Sequence, residues 1–332
     1  MPTTYLIDAL RTPVGKHGGI LKSVRPDDLA ALVLKKIVER NQLDPATVDE
    51  VYMGCANQAG EDNRNVARMA TLIAGFPNTV PAVTINRLCA SSLEAAACAY
   101  RAIQSGEGDC YVAGGVESMT RAPFSVPKLE NGFAFGNLTA YDTTLGWRYP
   151  NPKLKDMFPL ESMGETAENV AEKWQIKRQL QDQFAFESHQ KAIAAQDKGW
   201  FKDEIIPVEI SQKGKDPIVH DQDEQPRRDT TLEKLAELKP AFRKDGTVTA
   251  GNSSSLNDGA AAVLLASDKY VKEHGLKPIA KILGSASAGV DPRYMGIGPV
   301  SAVEKLLART GVSKFEIGLW EINEAFAAQM LA

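Results

Sequence analysis

The sequence lacks the apolar segments that would place it in a membrane. No run approaches about eighteen uninterrupted apolar residues, so no membrane span is predicted. The start of the chain, MPTTYLIDALRTPVG, has no basic segment followed by a long apolar one, so no secretion signal is expected. Hydrophobic residues make up 43% and charged residues 24% of the chain, as in ordinary soluble enzymes. We therefore expect a cytoplasmic protein.

Cysteine is also scarce, and so are clusters of positive charge. The four cysteines form no C-x-x-C pair and are too few for a disulfide framework, which excludes a typical zinc site and a secreted disulfide scaffold. The formal charge is -4, and no run of lysine or arginine forms a stripe. Nucleic acid is therefore not expected as a partner, and no metal is expected.

What is present is an alternation of short apolar runs and helical patterns, which predicts an α/β fold with a parallel or mixed sheet. The predicted strands are 6–10, 51–54, 82–85, 110–113, 280–284 and one that ends at Ile322. The predicted helices are one capped by Asp27 or Asp28 with Leu29, Val33 and Ile37 on one face, then 63–74, 91–104, 166–174, and 299–309 closed by Gly311.

The regular pattern breaks down in the middle of the chain. From about residue 120 to 245, prolines, charges and loop composition dominate, which indicates an inserted region. We predict one half from residues 1–119 and 246–268, a loop domain over 120–245, and a second half over 269–332.

Cys89 stands between a predicted strand and the first turn of a predicted helix. Unpaired N–H groups and the positive end of the helix dipole favour thiolate over thiol there, which suits a nucleophile. The alternative is that Cys89 is a buried small hydrophobic residue. Cys55, Cys98 and Cys110 fit that alternative, because they end a strand, lie in an alanine-rich helix and open a strand.

Two further segments have both a structural and a functional interpretation. In EINEAFAAQ, Asn323 is either a helix N-cap or a fixed amide that holds a water or a substrate oxygen as charge develops. In AGNSSSLNDGAAA, residues 250–262, the small residues either make a turn or let the backbone approach an extended ligand, with the hydroxyl of Ser254 beside it.

Taken together, these segments resemble the thiolase family along nearly the whole chain. The motifs NRLCASS, AGGVESMTRAPF, SMGETAENVAEKW, LKPAF, GTVTAGNSSSLNDGAAA, MGIGPV and INEAFA stand in the family's order. The resemblance implies a layered α/β/α/β/α fold of two similar halves and a loop domain that holds coenzyme A. It also implies a homodimer or homotetramer.

The resemblance also assigns roles to individual residues. Cys89 matches the acyl-carrying nucleophile, and Asn323 the asparagine that positions a water in the oxyanion hole. Coenzyme A, a substrate rather than a bound cofactor, would meet five further residues. These are Ser254 beside the pantetheine arm, Arg227 near the adenosine, and Met163, Phe242 and Phe326 as apolar walls.

The implied reaction is thiolysis of a 3-oxoacyl-CoA to acetyl-CoA and a shortened acyl-CoA. GCANQAGEDNRNVARM and TTLGWRYPNP look like the branch that cleaves 3-oxoadipyl-CoA in aromatic degradation. Ser162 replaces a histidine that lines the short-acyl pocket in many thiolases, which weakens acetoacetyl-CoA as the substrate. Acetoacetyl-CoA and fatty 3-ketoacyl-CoA remain alternatives.

The end of the sequence departs from the family pattern. The family's Gly-His-Pro histidine and second Cys-x-Gly cysteine are not found before Ala332. The sequence is therefore expected to be either a fragment of a complete thiolase or a catalytically incomplete homologue that binds acyl-CoA or a partner subunit.

Overall fold

The computed structural model describes residues 2–129, 132–133 and 135–332. The described strands are β1 Thr4–Arg11, β2 Gly15–Lys16, β3 Glu50–Gly54, β4 Ala82–Ile85, β5 Cys110–Ser118, β6 Phe124–Ser125, β7 Tyr141–Asp142, β8 Val208–Gln212, β9 Lys215–His220, β10 Asn257–Ser267 and β11 Ala280–Lys281. The described helices are α1 Pro26–Arg40, α2 Val66–Ile73, α3 Ser91–Ser105, α4 Pro152–Met157, α5 Met163–Lys173, α6 Arg178–Asp197, α7 Leu232–Ala236, α8 Asp268–His274, α9 Gly298–Thr310 and α10 Ala327–Leu331.

The main sheet has the strand order β11-β1-β10-β5-β3-β4, with β2 paired to β10. β10 is antiparallel to β1 and β5, whereas β3 is parallel to both β4 and β5. Parallel neighbours need crossover connections, which α2 and α3 provide here. The carboxyl ends of β3, β4 and β5 therefore lie along one edge of the sheet.

Helices cover both faces of this sheet. Successive residues of a strand point to opposite faces, so Val112 packs in the cluster under α1 and α2, while Tyr111 packs in the cluster under α3. On β10, Leu264 packs in the cluster under α1 and α2, and Leu265 packs in the cluster under α3. The predicted mixed α/β sheet is therefore confirmed.

The end of α9 is as predicted, whereas the start of α1 is not. α9 ends at Gly311, whose φ of 72° is the left-handed conformation that glycine adopts most readily at a helix end. The prediction that Asp27 or Asp28 caps α1 is wrong. Arg25 occupies the cap position and Pro26 opens the helix, because proline already has a helical φ, and Asp27 pairs with Arg25 instead.

The strand predictions fail toward the C-terminus. The strand predicted over 280–284 is reduced to β11, and residues up to Ile322 form no strand. A strand needs a neighbour for its backbone hydrogen bonds, and no described segment pairs with 318–322. Leu319 is 81% exposed there. The helix predicted from Asn63 starts at Val66, because the side chain of Asn65 caps it.

The middle of the chain holds α4 to α7 and the small hairpins β6–β7 and β8–β9. Ala167 and Ala171 of α5 pack with Val248 and Ala328 in a separate small core. Helices within the described ranges are too short or too polar to traverse a lipid bilayer.

Candidate active site

Cys89 lies in the turn that joins β4 to α3, and its side chain is exposed. The preceding residue, Leu88, has a φ of 50°, a left-handed conformation that is uncommon for a residue other than glycine. The turn stands at the edge where β3, β4 and β5 end, which is where open α/β sheets bind ligands. This position suits a nucleophile that must be reached by a substrate.

Two glycines let the start of α3 lie directly against the sheet. A Cβ on Gly54, at the end of β3, would overlap the backbone of Ser91 and Ser92. A Cβ on Gly115 of β5 would lie 2.7 Å from the Cβ of Ser92. Real Cβ atoms do not approach so closely, so larger residues at either position would push α3 and Cys89 outward.

The charge in the first turn of α3 is balanced by two guanidiniums. The carboxylate of Glu94 is 3.1 Å from Arg87 and 2.6 Å from Arg101. Arg101 also donates to the sulfur of Cys98, at 3.1 Å. Cys98 is therefore half-buried and hydrogen-bonded within its own helix, and is not the buried apolar residue that was predicted.

Four of the predicted ligand-binding residues come together at the start of α5. The rings of Phe242 and Phe326 meet edge to face with centroids 6.3 Å apart. A Cβ on Gly164 would overlap the ring of Phe242, so this ring packs on the first turn of α5 beside Met163. The backbone N–H of Ser254 donates to the carbonyl of Ala325, at 2.9 Å.

Asn323 lies close to this cluster but has neither of the structural features predicted for it. No strand precedes it, and it is not an N-cap, because α10 begins at Ala327 after Phe326. The carbonyl of Asn323 accepts a hydrogen bond from the N–H of Ala325, at 3.0 Å, and its side chain is exposed. Within the described ranges, no hydrogen bond joins this segment to the Cys89 turn.

Arg227 is exposed, and α6 holds its backbone. The N–H of Arg227 donates to Nδ1 of His189, at 3.2 Å. Burial, together with the charge of Arg227, lowers the pKa of His189, which keeps the ring neutral and able to accept this bond. The adjacent Ser188 donates to the carboxylate of Glu324, at 2.6 Å, so α6 contacts both the segment of Arg227 and the segment of Asn323.

Sequence reasoning missed the polar residues that hold these loops. Glu168 on α5 accepts from the N–H groups of Thr247 and Val248, both at 2.9 Å. Asn252 is 3% exposed and donates to the carboxylate of Asp182, at 3.0 Å. An asparagine within a run of glycine and serine is a signal for such a loop contact, although its partner lies far away in the sequence.

Cys55, Asp62 and Glu117 form a second polar cluster, with one ligand atom from each within 4.8 Å of the others. The thiol of Cys55 donates to Asp62, at 3.7 Å. Burial raises the pKa of Cys55 to about 12 and also raises that of Glu117. Glu117 also accepts hydrogen bonds from the N–H groups of Ala56 and Asn57, so the polar groups of this cluster have hydrogen-bond partners, which fits a structural role.

The fold and the turn define a layered α/β protein with an exposed cysteine at the start of a helix, an arrangement that suits an enzyme with a cysteine nucleophile. The chain belongs to the thiolase family. Residues 4–269 match the thiolase N-terminal domain, and residues 276–332 match the thiolase C-terminal domain.

Individual relatives agree with this assignment. The beta-ketoadipyl-CoA thiolase of Pseudomonas putida is 55% identical over 336 residues, covering 100% of this chain and 83% of the relative. The 3-oxoadipyl-CoA/3-oxo-5,6-dehydrosuberyl-CoA thiolase of Escherichia coli K12 is 50% identical, and the match covers 100% of this chain and 82% of the relative.

Solved structures show the same fold. The acetyl-CoA acetyltransferase of Bacillus anthracis superposes with a TM-score of 0.93 at 44% identity, over 100% of this chain and 82% of its own. The human mitochondrial 3-ketoacyl-CoA thiolase gives a TM-score of 0.92 at 39% identity, over 99% of this chain and 82% of its own. The layered thiolase fold expected from the sequence motifs is thus confirmed.

Proposed function

We propose that this protein cleaves 3-oxoadipyl-CoA by thiolysis and that Cys89 carries the acyl group. The observation that carries the proposal is the exposure of Cys89 at the edge of the sheet where β3, β4 and β5 end, whereas Cys55 and Cys110 are buried. The substrate is inferred from relatives at 50–55% identity that are named for this activity.

The proposed chemistry balances without a metal or a permanently bound cofactor. The thiolate of Cys89 attacks the 3-keto carbon, and the bond between C2 and C3 breaks. The enolate of acetyl-CoA leaves and takes a proton at carbon, so a succinyl thioester stays on Cys89. The thiol of coenzyme A then attacks the carbonyl carbon of this thioester, the bond from that carbon to the Cys89 sulfur breaks, and the thiol proton passes to solvent. Succinyl-CoA leaves and Cys89 is returned as the thiolate. Asn323 is proposed to position a water that stabilises the developing oxyanion.

Coenzyme A is proposed to bind along the loop domain, residues 120–245. Met163, Phe242 and Phe326 would flank the pantetheine arm, with Ser254 beside them, since these residues share one neighbourhood. Arg227 is exposed and free to approach the negatively charged adenosine end.

We further propose a homodimer or homotetramer in the cytoplasm. β4 is an edge strand of the sheet. Val83 on β4 is 37% exposed, and the nearby Leu88 and Leu93 are 68% and 74% exposed. An edge strand with exposed apolar side chains can be covered by pairing with a second copy.

Substrate preference tests the proposed function. Ser162, whose hydroxyl caps α5 by accepting from the N–H of Glu165, stands where many thiolases have a histidine that lines the short-acyl pocket. We expect kcat/KM for 3-oxoadipyl-CoA to exceed that for acetoacetyl-CoA by about tenfold or more. A preference for acetoacetyl-CoA or for long unbranched chains would contradict the substrate assignment. Binding of acyl-CoA without any thiolysis would favour the incomplete homologue.

A further inference from the structure

The conformation of the Cys89 turn is not explained by packing. Leu88 adopts a left-handed φ of 50°, a conformation that is strained for a leucine. Within the single chain its side chain is 68% exposed, so packing inside the chain does not account for this conformation. Something else must fix the residue that immediately precedes Cys89.

Asn86 binds the turn from one side. Its Oδ1 accepts a hydrogen bond from the N–H of Leu88, at 2.9 Å. Its Nδ2 donates to the carbonyl of Ala56, at 3.0 Å. One side chain thus closes the turn locally and ties it to the loop that follows β3.

That loop is itself held firmly. The carboxylate of Glu117 accepts from the N–H groups of Ala56 and Asn57, at 2.8 and 3.1 Å. Asn57 also donates to the carbonyl of Thr143, at 2.9 Å. Asn86 therefore connects the Cys89 turn to an anchored part of the sheet edge.

Ser91 binds the turn from the other side. Its hydroxyl accepts from the N–H of Arg87, at 2.8 Å, and donates to the carbonyl of Leu88, at 2.6 Å. Ser91 is 4% exposed. Both polar groups of the Leu88 backbone are thus bound by side chains, one from Asn86 and one from Ser91.

We infer that Asn86 is a positioning residue, which holds the left-handed turn at Leu88 and thereby fixes Cys89 for attack. The inference rests on the proposed role of Cys89 as the nucleophile. Asn86 acts through the backbone of the turn, so its loss should slow bond formation at Cys89 without weakening the binding of the coenzyme A portion of a ligand.

Alkylation by bromoacetyl-CoA separates these two effects. The Cys89 sulfur forms a bond to the carbon that carries bromine, bromide leaves, and the thiol proton passes to solvent. The dependence of the rate on probe concentration gives KI, for binding, and kinact, for bond formation, on the 332-residue protein. Peptide mass spectrometry identifies the modified cysteine.

Asn86→Ala should lower kinact by about tenfold to a hundredfold, because a misplacement of about 1 Å can have effects of this size. KI should stay within about threefold. Asn86→Asp keeps the acceptor for the N–H of Leu88 but loses the donor to the carbonyl of Ala56. Its kinact should therefore lie between those of the unsubstituted protein and Asn86→Ala. Asn78→Ala, an exposed asparagine whose side chain is not used by the turn, is the matched control and should leave both constants unchanged.

A double variant tests the mechanism of positioning. Glycine adopts a left-handed φ without strain. Leu88→Gly should therefore reduce the loss that Asn86→Ala causes in kinact. An equal loss in both backgrounds, an unchanged kinact in Asn86→Ala, or a parallel change in KI would overturn the inference.

Failure of the proposed function looks different. If the unsubstituted protein is not alkylated at Cys89 in a saturable manner, the role of Cys89 is wrong. If it is alkylated and the Asn86 variants react normally, only the positioning role is wrong. Should Asn86→Ala not fold, hydrogen exchange of the unsubstituted protein decides, since the inference requires slow exchange at the Leu88 amide and rapid exchange there would contradict it.

Discussion

The sheet region, residues 2–119 and 257–267, and the C-terminal region, residues 276–332, differ sharply in burial. In the sheet region, Leu34, Met53 and Leu264 are completely buried. In the C-terminal region, which the structure describes throughout, the buried residues are Ala327 and Ala328 alone. Burial of apolar surface is the main favourable contribution to folding, so the sheet region holds most of the stability.

This difference bears directly on the two residues expected to act on the substrate. Cys89 is attached to the sheet region through Gly54, Gly115 and the hydrogen bonds of Asn86. Asn323 belongs to the region with little core of its own. The position of Cys89 is therefore set by the sheet, whereas that of Asn323 depends on a few contacts near α5 and α6.

Cysteine labelling should show the largest contrast between exposed and buried positions. Iodoacetamide at neutral pH should modify Cys89 at least about a hundredfold faster than Cys55 and Cys110, which react only after the structure opens. Because the pKa values of Cys55 and Cys110 are raised to about 12, these two thiols stay protonated and slow as the pH rises from about 7 to about 9.

Cys98 should react at an intermediate rate, since it is half-buried and bonded to Arg101. In denaturant, all four cysteines should react alike, which provides the control. Equal rates in the folded protein would show that burial does not distinguish Cys89.

A matched pair of glycine substitutions compares the two regions next. Gly54→Ala forces a methyl group against the backbone of α3 and should lower the free energy of unfolding by about 1–3 kcal/mol. At Gly289 in the C-terminal region, an added Cβ meets no atom within 4 Å, so Gly289→Ala should change the free energy of unfolding by less than about 1 kcal/mol. Urea denaturation measures both, and equal effects would refute the contrast.

Capping serines give the smallest contrast. Ser162 and Ser313 each form a capping box, with Glu165 and Glu316 respectively. Ser162→Ala should lower the free energy of unfolding by about 1 kcal/mol, because α5 packs against a core. Ser313→Ala should lower it by about 0.5 kcal/mol or less. The turn after Ser313 is exposed, with Phe315 at 88%. If urea denaturation showed a larger loss of unfolding free energy for Ser313→Ala than for Ser162→Ala, the C-terminal region would not be the less firmly packed of the two.

Local patterns in the sequence predicted elements in both regions. The strand at 82–85 and the end of α9 at Gly311 follow from apolar periodicity and from the preference of glycine for a left-handed φ, which are properties of neighbouring residues. The strand ending at Ile322 was wrong, because strand formation depends on a pairing partner that the local sequence does not reveal.

The site was predictable in part. Cys89 was correctly placed between a strand and a helix, and Met163, Phe242 and Phe326 do share a neighbourhood. The left-handed Leu88 and the bond from Asn86 to Ala56 were not foreseen. Leucine carries no signal for that conformation, and Ala56 lies 30 positions away in the sequence.

Detection of the thioester is the most direct test of whether Cys89 carries the acyl group. The protein is mixed with 3-oxoadipyl-CoA, quenched in acid, digested and examined by peptide mass spectrometry. We predict a succinyl group on the peptide that contains Cys89, removed by hydroxylamine and not formed in Cys89→Ser. A stable succinyl group on Cys55, Cys98 or Cys110, or no adduct on any cysteine, would contradict the account.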